Sequence, residues 1–437
     1  MIGHPASAKM VPGAEWLGAV PSCWAVTPLF TVLRETNQRN SGLRERNLLS
    51  LSYGRIVRKD IDTLEGLLPE SFETYQVVES GDIVLRLTDL QNDQRSLRVG
   101  LVSERGIITS AYVNLRTGGN HDPRFLFYQL HNADLRKVFY NFGGGVRQSM
   151  KYADLKRLPI ILPPSDEQRA IADFLDRETQ TVDELVEAKR DLILALKDRR
   201  ESVITHQAYG QDWKGSRKES GSRCMPTVPT HWDVLAFRRC VTISEGQVDP
   251  EDDAYKDIVL VAPNHVESGT GRILFTETAQ QQGAISGKYR VRAGDLIYSK
   301  IRPALNKVCL ADFDCLCSAD MYALSPRTGM RADYLFYLML SGPFVQLVTD
   351  ESMRVAMPKV NRPTLLSILI PRPPTLEQQQ IATFLRGEVL RLETLAQETR
   401  KSIEKLSEYR SSLISAAVTG QIDVRTYRPQ EAAALCL

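Results

Sequence analysis

Features that announce catalysis are scarce in this 437-residue chain. It has no G-x-x-x-x-G-K-[ST] phosphate loop, and Gly143-Gly144-Gly145 lacks phosphate-binding spacing. No Pro-Asp dipeptide opens a nuclease-like carboxylate cluster, and no Asn/Asp-Pro-Pro-aromatic motif of an amino-methyltransferase occurs. Long apolar runs are missing, and residues 1–16 show no basic stretch followed by an apolar one, so a cytoplasmic protein without membrane contact is expected. Excess charge is small: 55 Lys and Arg against 53 Asp and Glu leave +2, so any footprint on a polyanion must be local. The seven cysteines (Cys23, Cys224, Cys240, Cys309, Cys315, Cys317 and Cys436) are odd in number. None forms a C-x-x-C pair at zinc-site spacing, so reduced structural thiols and no metal are expected. Cys315 and Cys317 flank Leu316 as a buried strand would.

What the chain does have is a repeat. Its length exceeds what one core usually organises, and 43% hydrophobic with 25% charged residues is ordinary for folded domains. Residues 163–210 align without a gap on 373–420, at a constant offset of 210, with 17 of 48 positions identical against roughly three expected from composition. Upstream, the repeat survives as islands. Val20-Pro21-Ser22-Cys23-Trp24 matches Val228-Pro229-Thr230-His231-Trp232, and Gly81-Asp82-Ile83-Val84 matches Gly294-Asp295-Leu296-Ile297. A variable globular part therefore precedes a more uniform segment, twice. The organisation expected is a first head over 1–164, a helix over 165–210, a second head over 211–374, a helix over 375–420 and a tail over 421–437.

Each uniform segment opens with Pro-Pro and a capping-box pattern, Ser165-x-x-Gln168 or Thr375-x-x-Gln378, and runs to a glycine, Gly210 or Gly420. Helical rise makes each a rod of roughly 65 Å. An apolar seam runs through Ile171, Leu175, Val182, Leu185, Leu192, Leu196 and Val203. The second copy offers Ile381, Leu385, Leu392, Leu395, Leu406 and Leu413, interrupted by Ser402, and carries Gly387 inside the rod. The seam predicts two long antiparallel coiled-coil helices with pseudo-two-fold symmetry. The heads mix short strands with helices at no regular β-α-β spacing, which predicts an α+β fold.

Tandem variable domains, each ended by P-P-x-x-E-Q-x-x-I-A-x-F-L and a long helix, resemble the specificity subunits of type I restriction-modification enzymes. The residues are Pro163, Pro164, Glu167, Gln168, Ile171, Ala172, Phe174 and Leu175, repeated as Pro373, Pro374, Glu377, Gln378, Ile381, Ala382, Phe384 and Leu385. Trp16 to Pro21 and Ser299 to Pro303 also fit that family. Cys224 and Pro226 depart from it where the first copy has Trp16 and Gly18, and the first head offers only Arg86 to Gln91 against Ser299 to Pro303.

The resemblance implies a non-catalytic, DNA-reading subunit with two target-recognition domains and a bipartite, asymmetric double-stranded DNA site. Its implied partners are two modification (methyltransferase) subunits and ATP-dependent restriction subunits. S-adenosylmethionine, ATP and Mg would be bound by those partners and none by this chain. A head that reads DNA needs Lys and Arg for phosphates, with Arg, Lys, Asn or Gln donors for base edges. Candidates in the first head are Arg86, Gln91, Arg95 and Arg98, then Arg147, Gln148 and Lys151. Those in the second are Lys300, Arg302, Asn306 and Lys307, then Lys359, Asn361 and Arg362. A coiled-coil scaffold with two protein-binding heads is the competing reading, and it leaves the resemblance of the heads unexplained.

Overall fold

A computed structural model describes residues 7–62, 71–90, 93, 97–141, 149–352 and 358–427. The chain divides into two compact units. Unit 1 comprises Met1–Lys189 with Arg400–Leu437, and unit 2 is Arg190–Thr399. Unit boundaries therefore fall inside the long helices, so each unit is one head plus half of each helix.

In unit 1, strands β1 (Leu33–Thr36), β2 (Ile83–Leu85), β3 (Val99–Leu101) and β4 (Val113–Thr117) form an antiparallel sheet ordered β3-β2-β4-β1. In unit 2, β5 (Val241–Ile243), β6 (Leu296–Ser299), β7 (Val308–Leu310) and β8 (Met321–Pro326) repeat it as β7-β6-β8-β5. A second sheet in each head contains one parallel pair, Gly106–Ile108 with Leu48–Ser52 and Cys315–Cys317 with Leu260–Val261. The heads are thus the same α+β fold written in two sequences. Cys315, Leu316 and Cys317 are all buried, and burial pushes the Cys315 thiol up to about 12.

Helices α1 (Pro123–Leu135) and α3 (Ala332–Leu340) cover the main sheets, and α2 (Ser165–Ala208) and α4 (Thr375–Val418) are the 44-residue rods. Within unit 1, Ile171, Phe174 and Leu175 of α2 share a core with Leu413, Ile414 and Ala417 of α4, and Val182 and Val186 pack on Leu406. Within unit 2, Val203, Ile204 and Ala208 share a core with Ala382, Leu385 and Val389. Each pairing runs antiparallel.

The buried stripe departs from the expected seam. Leu185, Leu192 and Leu395 are 41%, 42% and 40% exposed, while Val186, Val389 and Ala396 are buried instead. A straight helix of 3.6 residues per turn drifts from a 3.5-residue repeat, and a step of four from Val182 lands on Val186 rather than Leu185. The capping boxes also differ from expectation. Gln168 Nε2 donates to Pro163 O (2.9 Å), while its Oε1 accepts from Asp122 N (3.2 Å) at the start of α1. Gln378 makes the matching bonds to Pro373 O (2.7 Å) and Arg331 N (2.8 Å) at the start of α3. The shared glutamine therefore ties two helix starts together.

Glycine ends each rod for two reasons. Gly210 and Gly420 have φ of +58° and +70°, where a side chain is strained. An added Cβ would also lie 2.7 Å from Pro229 Cγ at Gly210 and 2.5 Å from Pro21 Cγ at Gly420. Gly387, by contrast, sits inside α4 with open space around an added Cβ. Gly387→Ala should stabilise the protein by up to about 1 kcal/mol, read as a higher denaturation midpoint. A lower midpoint would show that the glycine serves a packing role. Ser402 Oγ is buried without a hydrogen-bond partner, at the position where the seam is interrupted. Ser402→Ala should likewise stabilise by about 1 kcal/mol, because it removes an unmet polar group.

Candidate nucleic-acid interface

The second head gathers cations that the sequence places far apart. Beyond β6 the chain runs beside residues 358–360: Ile301 bridges to Lys359, Arg302 N donates to Pro358 O (2.9 Å), and Val360 N donates to Lys300 O (2.9 Å). Asn361 caps the helix Arg362–Ser367, its Oδ1 accepting from Thr364 N at 2.9 Å. Lys300, Arg302, Lys359 and Arg362 thereby share one corner. Arg302 and Lys359 are exposed, and Arg302 is held at φ +47°.

Tyr322, which sequence reasoning missed, sits beneath this corner. The Lys300 ammonium lies 5.7 Å and the Arg362 guanidinium 6.0 Å from its ring centroid, within cation–π range. Tyr322 Oη in turn donates to Val360 O at 3.1 Å. Lys300 Nζ donates to Ala319 O, and burial with the like charges of Lys359 and Arg362 pushes its pKa below the usual lysine range, against the pull of Asp320. Arg362 pairs with Glu245 (3.1 Å) and donates to Ser244 O (2.9 Å). Mutual repulsion at such a corner is relieved when a polyanion sits on it.

Asn306 and Lys307 do not join this group. Asn306 is buried in a left-handed turn (φ +42°), its Nδ2 donating to Met339 O (3.0 Å), and is withdrawn as a DNA contact. Lys307 is half-buried and its Nζ donates to Pro263 O at 2.6 Å.

The first head has the same backbone corner with different side chains. Met150 N donates to Leu87 O (2.8 Å) as Val360 N does to Lys300 O, and Asp89, at φ +59°, stands where Arg302 does. Arg86–Leu90 is thus the counterpart of Ser299–Pro303 that the sequence left undefined. Leu87, Asp89, Ser149 and Tyr152 occupy the places of Lys300, Arg302, Lys359 and Arg362. Lys151 is exposed and stands, like Asn361, at the N-cap of a short helix. Arg86 is half-buried, 3.9 Å from Asp93. Gln91, Arg95, Arg147 and Gln148 lie outside the described residues.

Arg98, expected to face DNA, points into the protein instead. It is fully buried and spends its guanidinium internally, donating to Tyr140 Oη (3.0 Å), Arg86 O (3.2 Å), Thr88 O (2.8 Å), Asp89 O (3.2 Å) and Asp93 O. A planar fork with five donors suits the cross-linking of one loop to itself. Arg98 therefore shapes the corner without touching what binds there.

The motif residues that carried the resemblance are structural too. Trp24 Nε1 donates to Glu167 Oε2 (3.2 Å), and Trp232 Nε1 to Glu377 Oε2 (2.8 Å). Each tryptophan also lies against the glycine that ends the other repeat's rod, Trp24 at Gly420 and Trp232 at Gly210. Among the described residues no group of three or more His, Cys, Asp or Glu side chains is placed to hold a metal ion, and no helix is long and apolar enough to cross a membrane.

Comparison with known proteins bears on these two heads. The family model described as type I restriction modification DNA specificity domain matches residues 105–195 and 243–405. The type I restriction enzyme EcoDI specificity subunit of Escherichia coli is 28% identical over 311 residues, spanning 68% of this chain and 69% of that protein. A putative type I restriction enzyme MjaX specificity subunit of Methanocaldococcus jannaschii is 23% identical over 94% of this chain and 96% of its own. Among solved structures, a chain from work on complex assembly and conformational transition of the type I R-M system superposes with a TM-score of 0.68 at 17% identity, covering 92% of this chain and 99% of that one. The HsdS subunit from Thermoanaerobacter tengcongensis gives 0.52 at 16% identity, covering 94% and 100%.

Proposed function

The chain belongs to the type I restriction-modification DNA specificity family, and on that premise we propose that it reads a bipartite, asymmetric DNA site and carries the catalytic subunits to it. One observation supports this best: two heads of one strand order present different side chains at the same backbone corner. Identical corners would suit a symmetric site, and different ones suit two unlike half-sites. Lys300, Arg302, Lys359 and Arg362 are assigned to the second half-site, Lys and Arg holding phosphates and Arg302 reaching for a base edge. Arg86 and Lys151 are assigned to the first, with Gln91, Arg95, Arg147 and Gln148 as further candidates.

The chain does no chemistry of its own in this account and acts in the cytoplasm. Two modification subunits dock on the repeated helical surfaces, since related helices offer two similar surfaces. They would bring S-adenosylmethionine and flip an adenine out of the stack, and restriction subunits would bring ATP and Mg. The antiparallel rods form the pseudo-two-fold coiled coil that spaces the half-sites. Inserting one heptad in both rods adds roughly 10 Å, about three base pairs. The spacer should lengthen by that amount while the specified bases stay the same, and an unchanged spacer would end the ruler reading. A gel shift on duplex DNA with co-purified subunits tests the function itself. Binding should weaken steeply with salt, and salt-independent or absent binding would favour a protein scaffold.

A further inference from the structure

A face of unit 1 is covered by residues 421–427, and among the described residues the matching face of unit 2 carries no such covering segment. Beyond Gly420, residues 421–427 fold back onto the start of α2, where Ile422, Val424 and Tyr427 pack against the core that contains Ile171 and Phe174. The Tyr427 ring meets Phe174 edge-on at 5.1 Å, its hydroxyl is 2.8 Å from that of Tyr409, and Arg425 reaches Asp166 at 3.3 Å. Phe174 is left 3% exposed.

In unit 2 the equivalent residues Ile381, Phe384, Trp232 and Gly210 line a cleft of ≈ 590 Å³ together with Trp213. Here the chain leaves the rod differently. Trp213 turns onto His231, with ring centroids 4.7 Å apart, and Phe384 stays 52% exposed. Leu376, 67% exposed, stands where unit 1 has Asp166. The floor is therefore the one that holds a covering segment in unit 1, with Leu376 in place of Asp166, the partner of Arg425, while Glu377 on the cleft wall is engaged by His231 and Trp232.

We propose that this cleft binds a segment of a partner polypeptide, built like residues 421–427: two aliphatic residues two apart, then an aromatic three further on. An aliphatic residue would replace Arg425, because Leu376 offers no charge to pair with it. Unit 1 fills its own copy of the face, so the partner docks once per chain, unlike partners that use both repeats. The proposal does not depend on the DNA reading.

The test uses the full chain and a synthetic peptide of residues 421–427 carrying Arg425→Leu and a benzophenone-bearing aromatic at position 427. Saturable photo-cross-linking at one peptide per chain, mapped by mass spectrometry to residues 376–384 or Trp213, is expected. Phe384→Asp should lower labelling at least tenfold without changing DNA affinity. Leu376→Asp, which restores the residue unit 1 carries, should shift preference to the peptide with Arg425 retained. No labelling, labelling confined to residues 166–174, or labelling indifferent to Phe384→Asp would overturn the proposal. So would self-association of the chain that Phe384→Asp abolishes, which would make a second copy the occupant.

Discussion

Replacing Lys300 and Arg302 together by alanine is expected to weaken binding to duplexes carrying the second half-site by roughly two orders of magnitude, and to leave recognition of the first unchanged. The size follows from two lost cationic contacts, each worth about 1–3 kcal/mol when it reads a base and less when it holds a phosphate. The log–log salt slope should also fall by roughly two if both contacts are to phosphates. Arg302→Gly separates charge from backbone, since φ is +47° there and glycine adopts that conformation without strain. Lys300 adds a pH signature. Its pKa is lowered by burial and by Lys359 and Arg362, and DNA binds the charged form. Affinity is then full at neutral pH and is lost as pH rises through the lowered pKa, earlier than for Lys300→Arg. Competition gel shifts across salt and pH check all three, and unchanged affinity of the double variant at ordinary salt would remove this corner from the interface.

Arg98 should produce the largest stability effect in the first head. Its side chain satisfies Tyr140 Oη and four backbone carbonyls of residues 86–93. Arg98→Met keeps much of the aliphatic packing and removes every side-chain donor; Asp89 O and Asp93 O keep Asp93 N and Tyr140 Oη as donors, while Arg86 O and Thr88 O lose theirs, at a cost of roughly 2–4 kcal/mol. Arg98→Lys cannot reproduce the fork and should recover only part of it. Denaturant unfolding measures the loss, and a change below about 1 kcal/mol would contradict the role assigned to this residue. Because the loop it holds forms the candidate corner, first-half-site recognition should fall along with stability, with the second head unaffected.

How far the sequence could be read depended on how local each determinant was. The rods, their Pro-Pro starts and their glycine ends are set by neighbouring residues, and all were legible. The register of the stripe was not, because Leu185 and Val186 are both apolar and only packing against α4 in unit 1 decides between them. Glu167 and Gln168 stood out as shared letters, but their work, accepting from Trp24 and joining two helix starts, needs partners distant in sequence. Arg98 looked like a surface donor because its type is common there, and its burial follows from carbonyls that the folded loop assembles. The same holds for Lys300 with Lys359, which a short backbone pairing brings together.

The most direct test of the central claim is sequencing of modified adenines in DNA from cells that carry this chain with its modification partner. Two different short blocks of specified bases separated by a spacer of fixed length are expected, with Lys300→Ala/Arg302→Ala altering modification through the second block alone. A single continuous or palindromic site, or modification that does not depend on this chain, would contradict it.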